Sequence, residues 1–244
     1  MPKIPPRFIL LIAVFALLIV SIQIGALTVA FEKLDLSPDS AYLLFITILG
    51  GSMINLPLFS MKSEPPNLEE IPPQLRELYR RMPYTGRTMI LANVGGCVVP
   101  AAFCLYLLAH HPLNIFYVVL AVAAVAILSF KTSRRIPGIG MGMPILLAPL
   151  LAALVSVALD PPNAAPMAFI SGTLGVLIGA DLMHLKDIRN MGTPFASIGG
   201  AGSFDGIFIS GIVAVLPAQV AAGRIGAGGG RICIVKLTPI SFGV

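Results

Sequence analysis

The chain has 244 residues, 57% of them hydrophobic and only 11% charged, with a mean hydropathy of +0.92. Ordinary soluble domains are about 45–50% apolar and about 25% charged, so eleven acidic and sixteen basic residues are too few to solvate a surface of this size. That sets aside a water-soluble globular domain and a disordered chain. The formal charge of +5 does not point to nucleic acid either, because the basic residues fall in short clusters between apolar runs, the pattern that encodes membrane topology.

A spanning helix needs about 20 mainly apolar residues. The first uncharged run, Phe8 to Phe31, meets that length. It exceeds the about 7–15 residues of a signal-peptide core and is read as a retained helix. Further runs cover Tyr42–Met61, Thr88–Ala109, Leu113–Phe130, Met141–Leu159, Ala165–Leu185 and Ile198–Ala222. The sequence therefore predicts an all-α, polytopic transmembrane bundle of about seven spans, a single integral-membrane domain over residues 1–222. The Gly-rich tail 223–244 is too interrupted to add an eighth span.

Lys and Arg orient the bundle. Lys3 and Arg7, then Lys62, Arg76, Arg80, Arg81 and Arg87, then Lys131, Arg134 and Arg135, then Lys186 and Arg189 alternate with connections that carry Lys33 alone. With three bases in the tail, the contrast is twelve against four, which puts the N-terminus inside. Helical spans rather than barrel strands predict a multi-pass protein of the inner cell membrane. In the long 62–87 connection, Leu75, Leu78 and Met82 recur at helical spacing among arginines. This fits a short interfacial helix on the inner leaflet or a solvated linker.

Cysteine carries little information. Cys97 and Cys104 share one apolar run, Cys233 stands alone, and there is no C-x-x-C pair, so packing thiols are expected rather than a zinc site or disulfides.

Acids are the informative residues. An Asp at the centre of a spanning helix costs at least ~2.5 kcal/mol, yet Asp181 lies in the sixth run and Asp205 in the seventh. By helical rise, Asp181 is roughly 7–8 Å inside the inner boundary and Asp205 about 10 Å. The two are thus expected at similar depth on consecutive antiparallel helices, which a short connection makes neighbours. Gly172, Gly175 and Gly179 precede the first, and Gly199, Gly200, Gly202 and Gly206 bracket the second; small residues let helices approach closely. Two carboxylates held together share a proton, so one acts as base and the other as acid. Asp181 and Asp205 are the candidate catalytic dyad.

The segment Gly200-Ala201-Gly202-Ser203-Phe204-Asp205-Gly206-Ile207-Phe208 resembles the Gly-x-Gly-Asp segment of presenilin-type and signal-peptide-peptidase-type intramembrane aspartyl proteases. That resemblance implies a first aspartate on the sixth helix, a second on the seventh, and membrane-embedded peptide substrates. The chain departs from the pattern where Ser203 and Phe204 separate Gly202 from Asp205, and where Ala180 stands in place of a tyrosine. No Pro-Ala-Leu segment follows on a later helix. A broader resemblance, carried by Asn93-Val94-Gly95-Gly96-Cys97-Val98-Val99-Pro100, by Gly172 through Leu182 and by the Gly-rich segment through Gly206, is to a prokaryotic multi-pass membrane family of unknown function. It implies the membrane class and no activity.

The rival reading is proton- or ion-coupled transport of a small solute. Asn55 and Asn93 mirror the two aspartates, and Gly50-Gly51, Gly95-Gly96, Pro57 and Pro100 interrupt their helices, as in transporters with broken spans. In a third, non-enzymatic reading both aspartates are structural. Asp181 and His184, three apart, are expected to share a helix face, as a hydrogen bond or a proton relay. Half a metal site is the least expected role for the pair, since no H-E-x-x-H or second histidine cluster accompanies them, and neither a metal nor a cofactor is predicted. Ser171 and Ser210 lack a histidine at suitable depth for a serine dyad.

Overall fold

A computed structural model describes residues 30–32, 34–65, 69, 71, 73, 76–77, 80, 86–136, 140–144, 146–189, 193–200, 211–215 and 218. Most of the run from Phe8 lies outside the described residues, as do Leu75, Leu78 and Met82 of the interfacial-helix expectation, the tail 223–244, and most of Ile198–Ala222.

The described chain is mostly α-helical. Helix α1 (Pro38–Gly51) starts where the Ser37 hydroxyl accepts from the Ser40 amide, with proline in its first turn, a position where a missing N–H costs nothing. Strand β1 (Asn55–Lys62) and strand β2 (Arg87–Asn93) follow. A π-helical turn (Val94–Val98) leads from β2 into α2 (Val99–His110). Helix α3 (Ile115–Thr132) is capped by the Asn114 side chain, which accepts from the Phe116 amide. A small hairpin, β3 (Arg134–Ile136) with β4 (Gly140–Gly142), connects it to α4 (Leu147–Leu159). A 3-10 turn (Pro161–Asn163) enters α5 (Ala164–Val176), which continues as a second π-helical segment (Leu177–Leu182). Helix α6 (Leu185–Ile188) and strand β5 (Phe195–Ile198) come next, and residues 211–215 are helical again.

Helix α5 is the centre. Twelve of its 13 residues are buried, and it packs on α3, α4 and α2. Phe169 meets Phe103 of α2 edge-to-face at 5.1 Å. Contact with α3 depends on small residues: a Cβ on Gly179 would lie 2.2 Å from the Ala126 carbonyl oxygen, so only glycine allows the backbones this close. Around this core, α1, α3 and α4 turn large apolar side chains outward, including Leu43, Ile46, Phe116, Val119, Leu150 and Leu154.

Two expectations need correction. Among the described residues only two helices are long and apolar enough to cross a membrane, Ile115–Thr132 and Pro161–Leu182, not seven spans. The fold is also not all-α, because β1, β2 and β5 form a sheet in the order β1-β2-β5. The expected span Tyr42–Met61 is α1 followed by β1. Thr88–Ala109 is β2, a π turn and α2, and Ile198–Ala222 begins at the end of β5. Short apolar runs do not distinguish strand from helix by hydrophobicity alone. Here Thr88, Ile90 and Ala92 point into the core while Arg87 and Met89 point out, the period of two of a half-buried strand.

Strands β1 and β2 are antiparallel, with Asn55 opposite Asn93 at one end and Lys62 opposite Arg87 at the other. The register slips between Pro57 and Phe59, where an edge strand tolerates a proline. Strand β5 pairs parallel to β2, with Ala92 opposite Ile198. Its entry is held by the Thr88 hydroxyl, which donates to the Thr193 carbonyl. The sheet thus joins the entry to α2 and the segment after Ile198 side by side and in the same direction.

Candidate functional site

The site lies where β1, β2 and β5 end and the helices begin. Asn93, 1% exposed, is its hub. Its Nδ2 donates to the Ser52 carbonyl at 2.7 Å and to Asn55 Oδ1 at 3.2 Å, and its Oδ1 accepts from the Gly96 amide at 2.7 Å. The same Asn55 oxygen accepts from the Ser197 hydroxyl at 2.7 Å. One buried amide therefore caps the π turn, closes the end of α1 and, through Asn55, reaches β5. Donor and acceptor capacity are both used, as a buried polar group requires.

Asp181 approaches this seam from the π-helical end of α5. Its Oδ2 accepts from the Gly199 amide at 2.9 Å, and its other oxygen makes no hydrogen bond to any described residue. Gly199 and Gly200 both have positive φ, 81° and 86°. A Cβ on Gly199 would lie 2.7 Å from both the amide nitrogen and the Cβ of Cys97 and 2.7 Å from the Gly96 carbonyl carbon. The turn after β5 is therefore pressed against the π turn that Asn93 caps. Asp181, Asn93, Asn55 and Ser197 belong to one continuous polar seam between apolar helices.

The structure brings Asp181, Asn55, Asn93 and Gly199 together, with Gly200 beside them. Asp205, Gly202 and Gly206 lie outside the described residues. His184 corrects an expectation, because it makes no bond to Asp181. Its Nδ1 is 3.0 Å from the Gly179 carbonyl, five residues back, its ring packs on Phe130 at 4.6 Å, and its Nε2 is 4.0 Å from Asp187. A carbonyl can only accept, so Nδ1 carries a proton. The three-apart rule assumes 3.6 residues per turn, and the π-helical stretch from Leu177 to Leu182 rotates the following residues off that face. Gly179 thus serves twice, by close approach to α3 and by accepting from His184.

Ser52 and Ser197 were not singled out from the sequence. Ser197 carried one usable signal, a hydroxyl directly before Ile198-Gly199-Gly200; Ser52 contributes a backbone carbonyl, for which side-chain identity gives no clue. Among the described residues no group of three or more His, Cys, Asp or Glu could hold a metal ion.

A family model covers residues 49–216, a stretch that includes every described residue of the seam. The chain belongs to that family, whose description is protein of unknown function, DUF1614. Comparison with curated proteins finds no match, and neither does comparison with solved structures.

Proposed function

We propose that this chain is a multi-pass protein of the inner cell membrane in which Asp181 and Asp205 form an aspartyl-type hydrolytic site acting on a membrane-embedded peptide. The observation that carries this reading is the Gly199 N–H to Asp181 bond. It ties the segment bearing the first acid to the turn six residues before the second. The second oxygen of Asp181, which bonds to no described residue, is the atom that would share a proton with Asp205. One carboxylate would take a proton from water as it attacks the carbonyl carbon, and the protonated partner would polarise the carbonyl oxygen and then protonate the leaving amine. The membrane part of the reading is supported by the outward apolar side chains of α1, α3 and α4 and by the lengths of Ile115–Thr132 and Pro161–Leu182.

Coupled transport is favoured by a different observation. The Asn93–Asn55–Ser197 chain lies where helices give way to strand, the kind of break that lines solute paths.

Proteoliposomes separate the two. Cleavage of single-span peptides by the wild-type chain, abolished in both Asp181→Asn and Asp205→Asn, is the outcome expected of the hydrolase. Proton-linked solute uptake without cleavage would replace it with the transporter.

A further inference from the structure

A second site lies at the far end of the β1–β2 ribbon. Lys62, Ser63 and Glu64, where β1 ends, face Lys186 and Arg189 of the α6 segment across a cavity of about 440 Å³. The cavity is held together by the chain itself. The Glu64 amide donates to the Arg189 carbonyl at 2.8 Å, the Ser63 amide to the Gly86 carbonyl at 3.1 Å, and Arg189 Nε to the Lys62 carbonyl at 3.3 Å. With its Nε used in this way, the terminal nitrogens of Arg189 bond to no described residue. Among the described residues, no carboxylate lies within 4 Å of any of these three cations. Among the described residues, three cations and one carboxylate therefore line a concave site, for a net charge of +2.

We propose that this cavity binds a phosphate ester anion, its phosphate held by Lys62, Lys186 and Arg189 and its hydroxylated substituent donating to Glu64. Guanidinium and ammonium groups are the side chains that recognise phosphate oxygens. Both bridged connections were read from their bases as facing the inner side, and basic pockets there take anionic lipid headgroups. The lipid source rests on the membrane reading above; a free glycerophosphate does not need it. The site requires neither Asp181 nor Asp205.

The test uses the full chain purified in detergent, with native mass spectrometry of retained phosphatidylglycerol, phosphatidylcholine and phosphatidylethanolamine, and separate titration with glycerol 3-phosphate. Preferential retention of phosphatidylglycerol, or saturable binding of glycerol 3-phosphate, is expected and identifies the source. Each surface cation contributes about fivefold, from about 1 kcal/mol, so Lys62→Gln/Lys186→Gln should weaken binding about 25-fold. Glu64→Gln, which keeps every observed tether, should strengthen it, so the idea is testable even if the double variant folds poorly. Lys131→Gln/Arg134→Gln on the neighbouring connection and Asp181→Asn should leave it unchanged. Equal losses in the Lys131/Arg134 control, an unaffected double variant, a preference for phosphatidylethanolamine, or no binding of either probe would overturn the proposal.

Discussion

At the residue scale, Asp181 and Asn93 were conspicuous for one physical reason: a polar side chain in an apolar run must find a partner or pay desolvation. The sequence identified both, but it could not supply the partners, which come from residues far away in the chain. Asn93→Ala strips the Gly96 amide and the Ser52 carbonyl of a partner. Bare buried groups cost about 1–3 kcal/mol each, so a loss of about 2–6 kcal/mol is expected in chemical unfolding in detergent, well above that of the half-buried Asn55→Ala. Gly199→Ala combines a left-handed φ with a clash against Gly96 and Cys97. It should cost about 1–3 kcal/mol and abolish whatever activity Asp181 supports, while Gly86→Ala, with positive φ but open space around it, should cost less.

At the element scale, apolar length was misleading. The expected runs Leu113–Phe130 and Ala165–Leu185 fall largely on the long apolar helices Ile115–Thr132 and Pro161–Leu182; Tyr42–Met61 and Thr88–Ala109 each contain a strand. The difference lies in what the runs pack against. Strand β2 has partners on both edges, β1 and β5, and a strand is stabilised by neighbours that no local window contains. Glycine shows the same dependence. Gly179→Ala drives a methyl into the Ala126 carbonyl, a backbone atom that cannot rotate away, and should destabilise by about 1–3 kcal/mol. Gly50→Ala, in α1 with nothing within 4 Å, should instead be neutral or stabilise by up to about 1 kcal/mol through helix propensity. Opposite signs in thermal unfolding of the two variants would support the packing; equal signs would contradict it.

At the scale of the whole molecule, three of the basic connections lie together among the described residues. Lys62 and Arg189 are joined by a hydrogen bond, and Phe130, beside Lys131, packs on His184, beside the Lys186 connection. The count of lysine and arginine predicts that these connections face one side of a membrane, and that makes topology testable. In a background without native thiols, single cysteines at Lys186 and His110 should react with an impermeant reagent from opposite faces of sealed vesicles; labelling from one face would refute the orientation. The sequence by itself determined the scarcity of charge, the clustering of bases and the few polar residues committed to apolar runs, because desolvation acts on each residue wherever it lies. Only the tertiary structure decided that β2 is a strand, that a π-helical stretch turns His184 away from Asp181, and that Asn93, Asn55 and Ser197 form one seam. Those outcomes depend on hydrogen-bond partners and close backbone approaches between segments up to 142 residues apart, and local patterning does not encode which distant segment will supply them.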